Sequence, residues 1–129
     1  MRKLIIMATL ALLAASCQTK EDATKAPITK PEITIEGGRL TPEALWAMGR
    51  INSVHPDEQS GLIAYTVSYY SVEENRSTSW IRVAQEEDGK LVTINELVGH
   101  SPAWHNGQLC YINGDGLLVI GDKTLTGFE

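Results

Sequence analysis

Three observations predict an all-β chain with one short helix near its start. From Ile51 onward, Val, Ile, Thr and Tyr crowd into short runs such as Leu62–Tyr70, and β-branched and aromatic side chains favour a pleated, half-buried strand. Turn signals punctuate those runs at Asp88-Gly89, Asn106-Gly107 and Asn113-Gly114-Asp115-Gly116. Ahead of them stands one firm helical signal, Thr41-Pro42-Glu43-Ala44-Leu45-Trp46-Ala47-Met48-Gly49.

The chain has 129 residues, a formal net charge of −5 and a hydrophobic fraction of 43%. That suits one ordinary domain or a piece of a larger one. It is too short for a barrel enzyme, a dinucleotide-binding enzyme or a serine hydrolase domain of common size. The acidic balance argues against nucleic acid, which attracts clustered Lys and Arg. Two cysteines exclude a disulfide-dense secreted scaffold.

Residues 1–16 read as an export signal. Arg2 and Lys3 form a basic start, and Leu4–Ala15 is an apolar run too short for a permanent membrane helix. Ala14-Ala15-Ser16-Cys17 reads as a lipoprotein cleavage box, after which Cys17 is acylated and becomes the new N-terminus; an ordinary secretory signal with an incidental cysteine is the alternative. Acylation at Cys17 implies a membrane partner and a place in the cell envelope, on the periplasmic or surface face of the outer membrane. Each buried methylene adds about 0.8 kcal/mol of membrane affinity, and more than one acyl chain makes anchoring stable. Cleavage removes Arg2 and Lys3, so the mature chain is more acidic still. It also leaves Cys110 without an intramolecular partner. Within Leu109-Cys110-Tyr111-Ile112 that thiol reads as a small buried hydrophobe.

Residues 17–39 form a tether. Gln18–Pro31 is polar, mixed in charge and carries two prolines, so it buries too little apolar surface to offset its ordering entropy. Lys20-Glu21-Asp22 resembles the acidic sorting tags of surface lipoproteins in the Bacteroidetes, with a solvated spacer as the plainer reading. Glu32–Ile35 suggests a short edge strand. In the helix, Thr41 suits the N-cap, Pro42 the first turn and Glu43 the positive end of the dipole. Leu45, Trp46 and Met48 are expected to pin it, and Gly49 to stop it. Two turns cannot stand alone, so the helix must dock.

The strands follow in order. Leu62–Tyr70 places Ile63, Tyr65, Val67 and Tyr69 on one face and Ala64, Thr66, Ser68 and Tyr70 on the other. Ser79–Ala84 is next, then the turn Glu86–Lys90, then Leu91–Leu97. Ser101–Trp104, Gln108–Ile112, Leu117–Ile120 and a strand from Lys123 to Thr126 complete the set. Val54-His55-Pro56-Asp57, turn, Leu62-Ile63-Ala64-Tyr65 is echoed by Ala103-Trp104-His105-Asn106-Gly107, turn, Leu109-Cys110-Tyr111-Ile112. A repeat of roughly 40–50 residues with about four short strands per unit marks propeller blades. The expected fold, over residues 40–129, is therefore about two antiparallel blades, Ile51–Leu97 and Ser101–Thr126, of an incomplete TolB-like or WD-type propeller. Tyr65, Val67, Trp80, Trp104 and Tyr111 would fill the blade interfaces. The competing fold is an eight-stranded sandwich.

Leu40-Thr41-Pro42-Glu43-Ala44-Leu45-Trp46-Ala47-Met48-Gly49-Arg50-Ile51 resembles the opening of exported prolyl oligopeptidase family serine peptidases of the Bacteroidetes type, the dipeptidyl-peptidase and acylaminoacyl-peptidase-like enzymes. Ile63–Ser77 is similar to that family's first long blade strand and its Asn-Lys-Ser continuation, with Arg76 where Lys is usual. Ser101-Pro102-Ala103-Trp104 resembles the start of a second blade, and Thr124–Glu129 the approach to a third. The blade motif by itself is shared with TolB-like periplasmic propellers. The turns depart from the family's Ser-Pro-Asp-Gly: His55–Gly61 is longer and Trp104–Gly107 shorter. The resemblance implies that the propeller caps a hydrolase domain and restricts access to short peptides. That domain's Gly-x-Ser-x-Gly elbow does not occur in this sequence. The expectation is a non-catalytic N-terminal propeller segment, with peptides as substrates of the longer parent only.

No residue is expected to be catalytic, cofactor-binding or metal-ligating. His55, His100 and His105 are the only histidines. His100, His105 and Asp115 lack the Cys pairs or His-Glu-x-x-His helix of a metal site, and read as turn and surface residues. Ser101 beside His100 is not a triad. Glu73-Glu74 reads as a solvated loop, and Asn75-Arg76-Ser77 matches a glycosylation sequon without consequence in a bacterial envelope protein. The rival reading is a small stand-alone β lipoprotein that binds a ligand or a protein.

Overall fold

A computed structural model describes residues 25–127. The export signal, Cys17, the Lys20-Glu21-Asp22 tag, most of Gln18–Lys25 and the final Phe128-Glu129 lie outside the described residues. Within them the chain is mostly β. Seven strands form an antiparallel meander in which each pairs with its sequence neighbours: β1 (Arg50–Pro56), β2 (Ile63–Ser71), β3 (Arg76–Glu87), β4 (Lys90–His105), β5 (Gln108–Asn113), β6 (Leu118–Ile120) and β7 (Lys123–Leu125). The sheet curls into a half-barrel. Among the described residues a single α-helix, α1 (Pro42–Ala47), precedes it.

The two Xaa-Gly dipeptides make the tight hairpins. Asp88 and Gly89 have φ of 52° and 74°, and Asn106 and Gly107 have φ of 50° and 72°. Each pair closes a two-residue loop, between Glu87↔Lys90 and His105↔Gln108. Two successive left-handed residues match the right-handed twist of the flanking strands.

The largest departure from expectation is β4. Leu91–Leu97 and Ser101–Trp104 are one strand, not two. Its first half pairs with β3 as far as Trp80↔Val98, and its second half pairs with β5 from Gly99↔Asn113 onward. The register slips between His100 and Ala103, and Ser101 takes a φ of 54°. This bulge bends the strand and lets it leave one partner for the next. Gly99 permits the bend: its backbone lies directly on Ile112 O and beside the Tyr111 ring, where a Cβ has no room. Two expected strands thus become one, and β4 serves two successive four-stranded meanders.

The register assigns the faces. Val67 lies opposite Trp80, Tyr69 opposite Thr78 and Tyr65 opposite Arg82. On the other face Ala64 meets Val83, Thr66 meets Ile81 and Ser68 meets Ser79. Both faces hold buried residues: Val67 and Tyr69 on the first, and Ala64, Thr66, Ile81 and Val83 on the second. Pro102, at the β4 bend, is fully buried. Tyr65, Trp80, Trp104, Tyr111 and Cys110 are half-buried. The lone thiol is therefore less enclosed than its apolar run suggests.

Thr41 caps α1, its Oγ1 accepting a hydrogen bond from the Ala44 amide at 3.2 Å. Ala44 is the buried anchor of the helix, whereas Leu45 and Trp46 are about half exposed, at 51% and 45%. Trp46 instead packs sideways, 5.3 Å from the Tyr70 ring and under the Arg50 guanidinium at 4.7 Å. The helix ends in an extended Met48 rather than a left-handed glycine. Gly49 is required for a different reason: a Cβ there would stand 2.6 Å from Tyr69 Cε1 and 2.8 Å from Val67 Cγ1. Glu32–Ile35 forms no strand, and only a 3₁₀ turn at Glu36–Gly38 follows it.

Candidate functional site

The curl of the sheet brings residues from β1, β2, β3 and the β4 bend around an open polar cleft of about 440 Å³. Its wall is a ladder of hydroxyls. Ser53 Oγ donates to Thr66 Oγ1 at 3.0 Å, Asn52 Nδ2 donates to Ser68 Oγ at 2.6 Å, and Ser68 and Ser79 share a hydrogen bond at 2.8 Å. Thr66, Ser68 and Ser79 meet because alternate residues of adjacent strands share a face, and the register irregularity between Ile51 and Ser53 lets consecutive Asn52 and Ser53 both reach it. His55 of β1 and His100, Ser101 and Pro102 of the β4 bend complete the lining. Trp104 ties the rim together, its indole Nε1–H donating to the His55 carbonyl at 2.8 Å across the fold.

The cleft gathers two of the three histidines that the sequence suggests are surface residues. His55 and His100 face the same space, while His105 pairs with the Asn106 side chain outside it. His100 Nδ1 lies 3.0 Å from Ser101 Oγ. Among the described residues no carboxylate lines the cleft, and none stands by that pair as the third group that orients the imidazole in a nucleophilic triad. Among the described residues no three His, Cys, Asp or Glu side chains gather to hold a metal. Asp115 sits in the β5–β6 turn, where its amide donates to Asn113 Oδ1. The cleft offers hydroxyl, amide and imidazole contacts to a small polar ligand. The β4 bend brings His100 to the cleft that His55 also lines, and nothing in their separation along the chain signals it.

A second surface lies on the opposite face of the sheet. The Arg76, Thr78 and Trp80 side chains of β3 each reach a main-chain atom of the segment ahead of α1. Arg76 Nη2 donates to Ala26 O at 2.6 Å, the Ile28 amide donates to Thr78 Oγ1 at 3.0 Å, and Trp80 Nε1 donates to Ile28 O at 2.7 Å. The end of the expected tether is therefore docked, not free. Its composition is polar, but the bonds go to its backbone, which composition does not reveal. A cavity of about 450 Å³ beside it is bounded by Ile28, Pro31, Trp46 and Tyr70. Glu73 and Glu74 stand at its mouth, both exposed, with Glu74 paired to Arg76 at 2.7 Å.

Two groups have shifted acidities. The Ser60 hydroxyl, donating at 2.6 Å, holds the Asp57 carboxyl below the usual range, helped by the Ser60 and Gln59 amides against a small desolvation. Arg82 is partly desolvated, which disfavours its charge, but Tyr69, Glu96 and Tyr65 outweigh that and keep it firmly protonated. Glu96 Oε1 approaches Arg82 Nε to 2.6 Å. The N–H is not aimed at it, so Nε has no aligned acceptor and the pairing is Coulombic.

Among the described residues no helix is long and apolar enough to cross a membrane. No family model matches the chain, and neither a curated protein nor a solved structure does.

Proposed function

We propose that this chain supplies a non-catalytic, propeller-type β module of a cell-envelope serine peptidase, of the dipeptidyl- or acylaminoacyl-peptidase kind, carried on the membrane through acylated Cys17. One observation chiefly supports the reading. The two halves of the sequence repeat become two successive four-stranded meanders, and their equivalent segments sit side by side. Trp104 in the second unit bonds His55 in the first. Gly107, in the second unit's turn, lies against Gln59 in the first, with 3.7 Å from Gln59 Oε1 to a Cβ placed on the glycine. Radial repetition of similar four-stranded units is what a propeller requires. The Leu40–Ile51 opening adds the peptidase resemblance. In this reading the module shapes access to a hydrolase active site, and short peptides are substrates of the parent.

The test is the intact size of the native protein in the membrane fraction, detected with an antibody to Ile51–Thr126. A species several times longer than this chain, labelled by a serine-directed fluorophosphonate and by a radioactive fatty acid, is expected. A species of this chain's length would overturn the peptidase reading. The polar cleft at His55, His100 and Ser101 favours a second reading, a stand-alone lipoprotein that binds a small polar ligand, and that outcome would select it.

A further inference from the structure

We propose that the face of β3 carrying Arg76, Thr78 and Trp80 is a binding groove for an extended, proline-containing peptide, and that Ala26–Pro31 is its built-in occupant. β3 pairs with β2 from Arg76 to Ala84, and with β4 only from Trp80 to Glu87. The Ala26–Pro31 segment is nevertheless held by side chains standing on the face, not by strand pairing. Residues 76, 78 and 80 alternate onto one face at the strand period. That spacing matches two residues of an extended chain. Arg76 takes the Ala26 carbonyl, Thr78 the Ile28 amide and Trp80 the Ile28 carbonyl. All three contacts go to main-chain atoms, so the groove reads backbone geometry first.

Side-chain selectivity enters at two places. Ile28 and Pro31 are half-buried, while Ala26, Pro27, Thr29 and Lys30 are exposed. The groove therefore asks for an aliphatic residue two positions after the first carbonyl and a proline three further on. Prolines at 27 and 31 hold the intervening chain extended and reduce the entropy lost on docking. Three hydrogen bonds of ordinary net strength give weak binding in trans. The attached segment prevails because a short linker supplies an effective concentration in the millimolar range. A free peptide enters when the segment is displaced, so the groove is self-occupied at rest.

The test uses the full chain with Ala26–Pro31 replaced by an equal run of Gly and Ser, and the peptide acetyl-Ala-Pro-Ile-Thr-Lys-Pro-amide. The Trp80 indole N–H resonance, assigned with Trp80→Phe, is followed by NMR during titration. A saturable shift at millimolar peptide is expected. Thr78→Val in the same background should weaken binding about fivefold, the equivalent of one net hydrogen bond. Asp in place of the peptide's Ile should weaken it at least as much, and Ala in place of its Lys should leave it unchanged. No saturable shift, or an equal shift with the Asp-containing peptide, would overturn the proposal. If the Gly/Ser chain loses its sheet by circular dichroism, the same titration is run on Ile28→Asp in the otherwise native chain. A saturable shift there supports the groove, and its absence overturns it.

Discussion

Replacing Ile81 by Ala tests whether the curled sheet encloses a core on its concave side. Ile81 is 0% exposed, on the face it shares with Thr66 and Val83, and Pro102 of the β4 bend, also fully buried, lines the same cleft as Thr66. The substitution deletes three carbons from a site with no access to water. At about 0.8 kcal/mol per buried carbon the transfer loss is about 2.4 kcal/mol. Flanking strands cannot collapse fully into the space, so a cavity contribution raises the total to about 3–4 kcal/mol. A domain of this size is stable by only about 5–15 kcal/mol, so the variant should lose a large share of its stability. Urea unfolding followed by tryptophan fluorescence measures it, since Trp80 and Trp104 sit in the two successive meanders. Val54→Ala, at a position 58% exposed, is the control and should move stability by less than about 0.5 kcal/mol. A loss at Ile81 below about 1 kcal/mol would mean that water reaches this face and that the second meander does not cover it.

Other substitutions probe single features. Gly49→Ala should destabilise by about 1–3 kcal/mol, because the added methyl overlaps the Tyr69 ring and Val67; thermal melts check this, and an unchanged midpoint would deny the close approach. Trp104→Phe keeps most of the ring but removes the donor to His55 O, and should cost about 1 kcal/mol with faster amide exchange around the His55–Gly61 turn. The Asp57 carboxyl pKa is lowered in the fold, chiefly by the Ser60 hydroxyl. Its contribution is therefore present above the unfolded value of 3.8 and lost as pH falls through the lower folded value. The Ser60 amide should lose exchange protection over that acidic interval in the native chain, and Asp57→Asn should remove the pH dependence.

Much of the β framework was legible because its signals are local. Asp88-Gly89 and Asn106-Gly107 carry their own backbone preference, and Leu62–Tyr70 its own alternation. Thr41-Pro42 announces a helix start without help from elsewhere. The pinning of that helix was not legible. Leu45 and Trp46 are the larger apolar residues, yet small Ala44 is the one buried where the helix packs on β2. Gly49 was legible as special but for the wrong reason, since a close approach by Tyr69 leaves no trace in neighbouring residues. The cleft was not legible either, because Ser53, Ser68 and Ser79 look like ordinary polar positions until the register aligns them.

Strand content and turn positions came from the chain itself, because each depends on a few consecutive residues. The Cys17 reading rests on local pattern in the same way and lies outside the described residues. Tertiary structure alone decided that Leu91–Leu97 and Ser101–Trp104 are one strand, that His55 and His100 face one cleft, and that Ala26–Pro31 lies bound against β3. Each of those depends on groups distant in sequence competing for the same hydrogen bonds and the same space. That competition is settled only when the sheet curls and the β4 bend closes over it.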